Sequence, residues 1–83
     1  MSQASSSAPL SVDQARAESV GYLALAHLGE RRPLQVLRSG AGYYIGTADE
    51  DGPVSRESVE YFRSFHAASQ ALTTGDWQQR LQS

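Results

Sequence analysis

The sequence predicts a small α+β domain with an N-terminal helix, a three-stranded antiparallel sheet and a C-terminal helix. Two segments begin at a serine suited to cap a helix and end at a glycine. Between them lie β-rich runs that are separated by glycine-containing turns. The 83 residues are 40% hydrophobic and 19% charged, which is typical of one globular domain rather than two. We therefore expect one sheet, built from a hairpin plus a third strand, with two helices.

The first ten residues, MSQASSSAPL, differ from the rest of the chain because they carry no charged side chain and little to bury. This composition predicts a disordered tail over residues 1–10, followed by a single domain over residues 11–83. The segment lacks the basic and apolar regions of a secretory signal. The longest apolar run of the chain is too short for a membrane span.

The first helix is predicted over Val12–Leu28. Ser11 is a suitable N-cap, Gln14 completes a capping box, and Gly29 is placed to end the helix. The second half of this segment is apolar on more than one side, which exceeds what a half-exposed helix needs. We therefore expect this half of the helix either to be sandwiched within the domain or to be covered by a partner.

The apolar excess points to a symmetric homodimer. Tyr22 and Leu25 fall opposite the side of the helix that carries Val20 and Leu23. A two-fold contact between two copies would remove this stripe from water. The alternative is a monomer in which the C-terminal segment covers the helix.

A β-hairpin is predicted next. Residues 34–39 and 42–48 are rich in β-branched and aromatic side chains, and Gly40-Ala41 separates them. Asp-Gly-Pro then indicates a second turn over residues 49–53. The third strand is predicted over residues 56–62, although a helix capped by Ser55 remains open for that segment.

The last helix is predicted over Phe65–Leu72, because Ser64 is a good N-cap and Gly75 a good terminator. Trp77 together with Leu81 should anchor the tail. The expected core consists of eleven residues: Val20, Leu23, Leu28, Leu34, Val36, Tyr43, Ile45, Val59, Tyr61, Ala68 and Leu72.

Composition argues against catalysis and against cofactors. There is no cysteine and no lysine, which excludes thiol nucleophiles, thiolate metal sites and Schiff bases. The acidic turn lacks the first and twelfth ligands of a calcium loop, and the two histidines stand alone at their positions. Gly40, Gly42 and Gly46 miss the spacing of a dinucleotide-binding loop. We predict no enzyme activity, no metal and no cofactor.

The remaining function is binding, and the first hypothesis is contact with another protein. The chain would act as a small regulatory or accessory module in the cytoplasm, with a bacterial or mobile-element origin that fits its arginine-only basic residues. Its predicted interface is apolar and aromatic: Tyr22, Leu25, Leu37, Tyr44 and Phe62. The alternative is nucleic-acid binding through Arg38, Tyr43 and Arg56. A net charge of −2 makes that alternative less favourable.

Overall fold

The computed structural model describes residues 11–82, and the predicted tail over residues 1–10 lies outside them. The described elements confirm the predicted α+β class and its order. They are α1 (Val12–Ala17), α2 (Tyr22–Leu28), β1 (Gln35–Ser39), β2 (Gly42–Asp49), β3 (Gly52–Arg56) and α3 (Phe65–Thr74). None of these helices is long and apolar enough to cross a membrane.

The three strands form one antiparallel sheet in the order β1-β2-β3. The predicted first turn is confirmed, since Ser39 pairs with Gly42. The predicted second turn is shorter than expected, because Asp49 pairs with Gly52 and β3 starts there. Gly52 has a φ of 128°, which lets the chain reverse within two residues. The Asp51 amide donates to the Asp49 carboxylate at 2.8 Å and closes this turn.

The prediction of one continuous first helix is wrong, although both of its predicted ends are confirmed. The capping box of Ser11 and Gln14 is present, and Gly29 ends α2 in the left-handed conformation. Between the two helices, Ser19 has a φ of 57° and Gly21 donates its amide to the Arg32 carbonyl at 2.9 Å. The helix breaks because this backbone turns aside to pair with the chain that enters the sheet.

The third strand was predicted too late in the chain. It ends at Arg56, and residues 57–62 form neither a strand nor a helix but pair irregularly with β2. The alternation of buried and exposed side chains that a strand requires fails here, because the successive residues Glu57 and Ser58 are both buried, with 0% exposure. Their amides both donate to the Ile45 carbonyl at 2.9 Å. One carbonyl thus holds two successive residues, which a regular ladder does not allow.

Both α2 and α3 pack on the same face of the sheet. Ile45 lies at the centre of that face with Ala71 of α3 and Trp77, and Thr47 lies under the start of α2. The opposite face, which we call the uncovered face, carries Leu37, Tyr44, Gly46 and Arg56 and no helix.

Part of the predicted core is confirmed. Four predicted residues are buried and two more pack against the core: Val20, Leu23, Ile45 and Ala68, then Leu34 and Leu72. Leu28, Val59 and Tyr61 are instead exposed. Leu28 points outward at the end of α2, and the other two point outward from residues 57–62, which we call the irregular segment. Small residues on α1, α2 and α3 complete the core: Ala15, Ala24 and Ala71.

The tail is anchored as predicted by Trp77, which is 6% exposed, whereas Leu81 is 64% exposed and anchors nothing. The Arg16 guanidinium lies 4.0 Å from the centre of the Trp77 ring and donates to the Trp77 carbonyl at 2.9 Å. This contact combines a cation–aromatic interaction with a charge-assisted hydrogen bond. It ties α1 to the C-terminal segment.

Candidate functional site

An open groove lies at the end of the sheet where β1 turns into β2. Its volume is about 580 Å³. We call it the hairpin groove, and it is lined by Arg38, Ser39, Gly40, Ala41, Gly42, Tyr43, Tyr61, Phe62 and Arg63. One wall is the hairpin turn and the other is the end of the irregular segment before α3.

Backbone pairing holds the two walls together. Tyr43 and Phe62 exchange two backbone hydrogen bonds, at 2.9 and 2.6 Å. Beside them, Gly42 has a φ of 132°, and a Cβ atom there would lie 2.9 Å from the Phe62 carbonyl oxygen. A side chain at this position would therefore push the walls apart. The glycine keeps the base of the groove as bare backbone.

Two arginines of the groove have no partner among residues 11–82. Arg38 and Arg63 are exposed and make no hydrogen bond or ion pair with any described residue. The other five arginines donate to carbonyl groups or pair with carboxylates: Arg16, Arg31, Arg32, Arg56 and Arg80. The groove thus concentrates two unneutralised planar cations, which are suited to bind carboxylate or phosphate groups.

Aromatic rings border these two cations. The Arg38 guanidinium lies 5.6 Å from the centre of the Tyr43 ring. Tyr43 meets Phe65 edge-to-face, with 6.2 Å between the ring centres, and Phe65 is 59% exposed. Tyr61 is 44% exposed on the other wall. The groove therefore offers apolar contact beside charge, which is a common composition of binding sites.

The five residues of the predicted protein interface are not brought together. Leu37 and Tyr44 pair directly on the uncovered face. Phe62 lies on the helix-covered face and packs against the core around Ile45. Tyr22 and Leu25 lie on α2, where both are half-buried. The set therefore falls into three separate groups, which are Leu37 with Tyr44, Tyr22 with Leu25, and Phe62 alone.

Of the residues predicted for nucleic-acid binding, two are adjacent and the third is not. Arg38 and Tyr43 lie together in the groove. Arg56 lies on the uncovered face, where its guanidinium stacks 4.7 Å from the centre of the Tyr61 ring. It also donates to the carbonyls of Ser58 and Val59 at 2.9 and 3.1 Å. Its charge is therefore engaged in holding the irregular segment.

The aromatic cluster on the uncovered face perturbs Tyr44, which is 6% exposed and lies 5.9 Å from Tyr61 between ring centres. Burial raises the pKa of the Tyr44 phenol above 10.0; the neighbouring Tyr61 adds to the rise, and Arg56 partly offsets it. The folded state therefore holds this proton more tightly than the unfolded chain does. The resulting stabilisation is present below the ordinary pKa of tyrosine and is lost as the pH rises through the raised value.

This shift predicts a late step in alkaline titration. When ultraviolet absorbance is followed, Tyr44 should form tyrosinate above the ordinary pKa of tyrosine. Tyr44→Phe should remove the late step, whereas Tyr22→Phe should leave it in place. A late step that survives in Tyr44→Phe would contradict the assignment.

Sequence reasoning missed Arg63, Tyr61 and Phe65 as members of a site. Arg63 stands immediately before the cap of α3, and nothing in that local position distinguishes it from an ordinary surface arginine. Tyr61 was expected in the core because an ideal strand would have turned it inward. The pairing of Tyr43 with Phe62 brings these residues to the hairpin, and it joins segments far apart in the chain.

Within residues 11–82, no group of three or more histidine, aspartate or glutamate side chains is placed to hold a metal ion. In the comparisons with known proteins, no family model, curated protein or solved structure matches the chain. The geometry of the hairpin groove is therefore the basis for assigning a function.

Proposed function

We propose that this chain is a non-catalytic binding module that takes an acidic segment of another protein into the hairpin groove. The observation that carries the proposal is the pair of exposed, unpartnered arginines, Arg38 and Arg63, beside exposed aromatic rings. A guanidinium can bind a carboxylate through two parallel hydrogen bonds, while the rings contact apolar parts of the same segment. The module would act in the cytoplasm, as a regulatory or accessory protein of bacterial or mobile-element origin.

The charge distribution supports an acidic ligand. The groove lies at the start of β2, whereas Asp49, Glu50 and Asp51 lie at its far end. Eight residues of strand span roughly 25 Å, well beyond the Debye length of about 8 Å at physiological salt. The negative charge of the acidic turn therefore lowers the positive potential of the groove only weakly. A net charge of −2 over the whole chain conceals this local positive site.

The lining supports binding rather than catalysis. None of the nine lining residues is a histidine or a carboxylate, which are the usual general acids and bases. The groove is also open to solvent, so it does not enclose a substrate. Both features suit recognition of an extended segment better than chemistry on it.

Nucleic-acid binding is the second candidate, and the stacking of Arg38 near Tyr43 favours it. Three observations weigh against it. Arg56 is engaged by carbonyl groups away from the groove, and the Tyr43 ring already meets Phe65 edge-to-face. In addition, two free cations neutralise few phosphates.

Fluorescence anisotropy with two labelled probes tests the proposal. The probes are an acidic peptide of alternating aspartate and leucine, and a single-stranded oligothymidylate. We expect the peptide to bind the full chain at low salt and to dissociate as salt is added. Arg38→Ala and Arg63→Ala should each weaken this binding about tenfold, equivalent to about 1.4 kcal/mol.

Arg31→Ala is the matched control, because it removes the same charge from an exposed arginine that pairs with Glu18. It should leave the affinity within about twofold. Equal losses in all three variants would reduce the effect to net charge and contradict the groove assignment. Tighter binding of the oligothymidylate, lost in Arg38→Ala, would favour the nucleic-acid candidate instead.

A further inference from the structure

The outer edge of β1 carries unpaired backbone groups. Tyr43 directs its N–H and C=O toward Phe62, and Ile45 directs its N–H and C=O toward Ser58 and Glu57. These two β2 residues therefore do not hydrogen-bond to β1. In an antiparallel pair, the β1 residues opposite them must direct their own N–H and C=O groups away from β2, toward the open edge of the sheet.

Those β1 partners are Val36, opposite Ile45, and Arg38, opposite Tyr43. No residue within 11–82 hydrogen-bonds to their outward N–H and C=O groups. The strand has no proline and no bulge, two features that usually protect an edge from pairing, and Arg38 is its one charged residue. The edge is therefore competent to accept another strand.

The opposite edge of the sheet, at β3, is protected from pairing with a further strand. In β3, Pro53 has no N–H to donate, and a register shift lies opposite it between Thr47 and Ala48. Arg80 donates to the Arg56 carbonyl at 3.1 Å. Farther along, the C-terminal segment pairs with the irregular segment through Ser58 and Gln79. On the β1 side, residues 19–21 pair with residues 32–34 just before the strand, and within the described chain the edge of Gln35–Ser39 is left open.

We propose that the β1 edge pairs with the β1 edge of a second copy in antiparallel register, with the two-fold axis at Leu37. The edge uses the backbone of β1, whereas the hairpin groove uses the side chain of Arg38, so the two sites share that residue but neither proposal depends on the other. Two copies would share one six-stranded sheet. The interface would be isologous and closed, the commonest form of homodimer.

Self-complementarity of the strand selects the second copy as occupant. This register pairs the whole strand with itself: Gln35 faces Ser39 of the second copy, and Leu37 faces Leu37. The outward groups of Val36 then meet those of Arg38, which gives hydrogen-bonded pairs on both sides of the axis. A shifted register, in which Arg38 faces Arg38 of the second copy, would place two like charges together, which is unfavourable.

The uncovered face supports the same axis. Leu37 is half-buried there and pairs with Tyr44, which is 6% exposed. Across the axis, this apolar pair would continue into the same pair of the second copy. The two α3 helices lie on the opposite face, so they do not obstruct the Leu37 contact. The dimer predicted from Tyr22 and Leu25 would then form through a strand rather than through α2.

A single-cysteine crosslink tests the register in the full chain, which has no native cysteine. Residues facing each other in a non-hydrogen-bonded antiparallel pair have Cα atoms about 4.5 Å apart, within reach of a disulfide. Leu37→Cys should therefore form a covalent dimer at least about tenfold faster than Gln35→Cys, with oxidised glutathione accepting the two electrons and two protons. Gln35 is the control because it lies on the same face of the same strand, far from its own copy in this register.

The unmodified chain supplies the second measurement. Light scattering coupled to size exclusion at submillimolar concentration should give a mass near twice 9.0 kDa. Val36→Pro removes one outward N–H that β2 does not use, so it should return the mass to the monomer while circular dichroism stays the same. A monomeric unmodified chain, or equal crosslinking rates for the two cysteine variants, would overturn the proposal. A chain that stays monomeric but adds a foreign peptide as a strand at β1 would also overturn the proposal.

Discussion

Glu57→Ala is expected to leave the chain largely unfolded. The Glu57 side chain is 0% exposed, and its carboxylate accepts from the amides of Leu23 and Ala24 at 2.8 and 3.1 Å. It also accepts from the Ser55 hydroxyl at 2.6 Å and the Gln79 amide at 2.7 Å. Alanine would remove all four acceptor contacts at once and leave a cavity between α2, β3 and the C-terminal segment.

The expected loss is large relative to the stability of so small a domain. Each buried donor left without an acceptor costs about 1–3 kcal/mol, so the four donors together cost on the order of 4–12 kcal/mol. A domain of this size has a free energy of unfolding of roughly 4–12 kcal/mol. Urea denaturation followed by circular dichroism measures the change, or shows its end point as an unfolded baseline without urea.

Two variants make this prediction specific to the buried acceptor. Glu57→Gln keeps the shape and one acceptor oxygen but turns an NH₂ group toward existing donors, so we expect a smaller loss of about 1–3 kcal/mol. Glu50→Gln removes the same charge from an exposed turn and should change stability by less than about 0.5 kcal/mol. If Glu57→Ala were no more destabilising than Glu50→Gln, the four hydrogen bonds would not be holding the fold.

Glu57 also illustrates why the sequence predicted the ends of helices better than their continuity. The caps at Ser11, Ser64, Gly29 and Gly75 depend on neighbouring residues, and all four are confirmed. The helix break at residues 18–21 depends instead on distant groups, namely the backbone of residues 32–34 and the Glu57 carboxylate that accepts from the start of α2. A charged residue in an alternating pattern is usually exposed, so its burial was not predicted.

The same distinction between local and distant contacts applies to the candidate sites. The hairpin was predicted because its turn and its strands are adjacent in sequence. The groove beside it needs Arg38 and Arg63 together, and only the backbone pairing of Tyr43 with Phe62 brings them to one place. The third strand was misplaced for a related reason, because the double hydrogen bond to the Ile45 carbonyl interrupts an otherwise regular alternation.

Gly46→Ala is expected to be the most damaging single-methyl substitution among the described glycines that have a negative φ. Gly46 lies in the central strand, and a Cβ atom there would lie 2.2 Å from the Ser55 carbonyl oxygen and 3.0 Å from a ring carbon of Tyr44. The first contact is with backbone, so a rotamer change cannot relieve it and β3 must move. Overpacking typically costs about 1–3 kcal/mol, and we expect the upper end or more because β3 also carries Ser55 toward the buried carboxylate.

Gly40→Ala is the matched control for Gly46→Ala, because the same methyl group would meet nothing within 4 Å in the hairpin turn. Its φ is not positive, so alanine is tolerated and the restricted unfolded chain should make the protein as stable as before or up to about 1 kcal/mol more stable. In urea denaturation, the free energies of unfolding of the two variants should therefore move in opposite directions from that of the unmodified chain or differ by at least about 2 kcal/mol. Equal free energies of unfolding would mean that β3 is not packed against Gly46.

The displacement of β3 in Gly46→Ala has a second consequence, because it moves Ser55 and Arg56 away from Glu57 and Tyr61. Because Arg56 partly offsets the raised pKa of Tyr44, Gly46→Ala should move the tyrosine step assigned to Tyr44 to still higher pH, whereas Gly40→Ala should leave it in place.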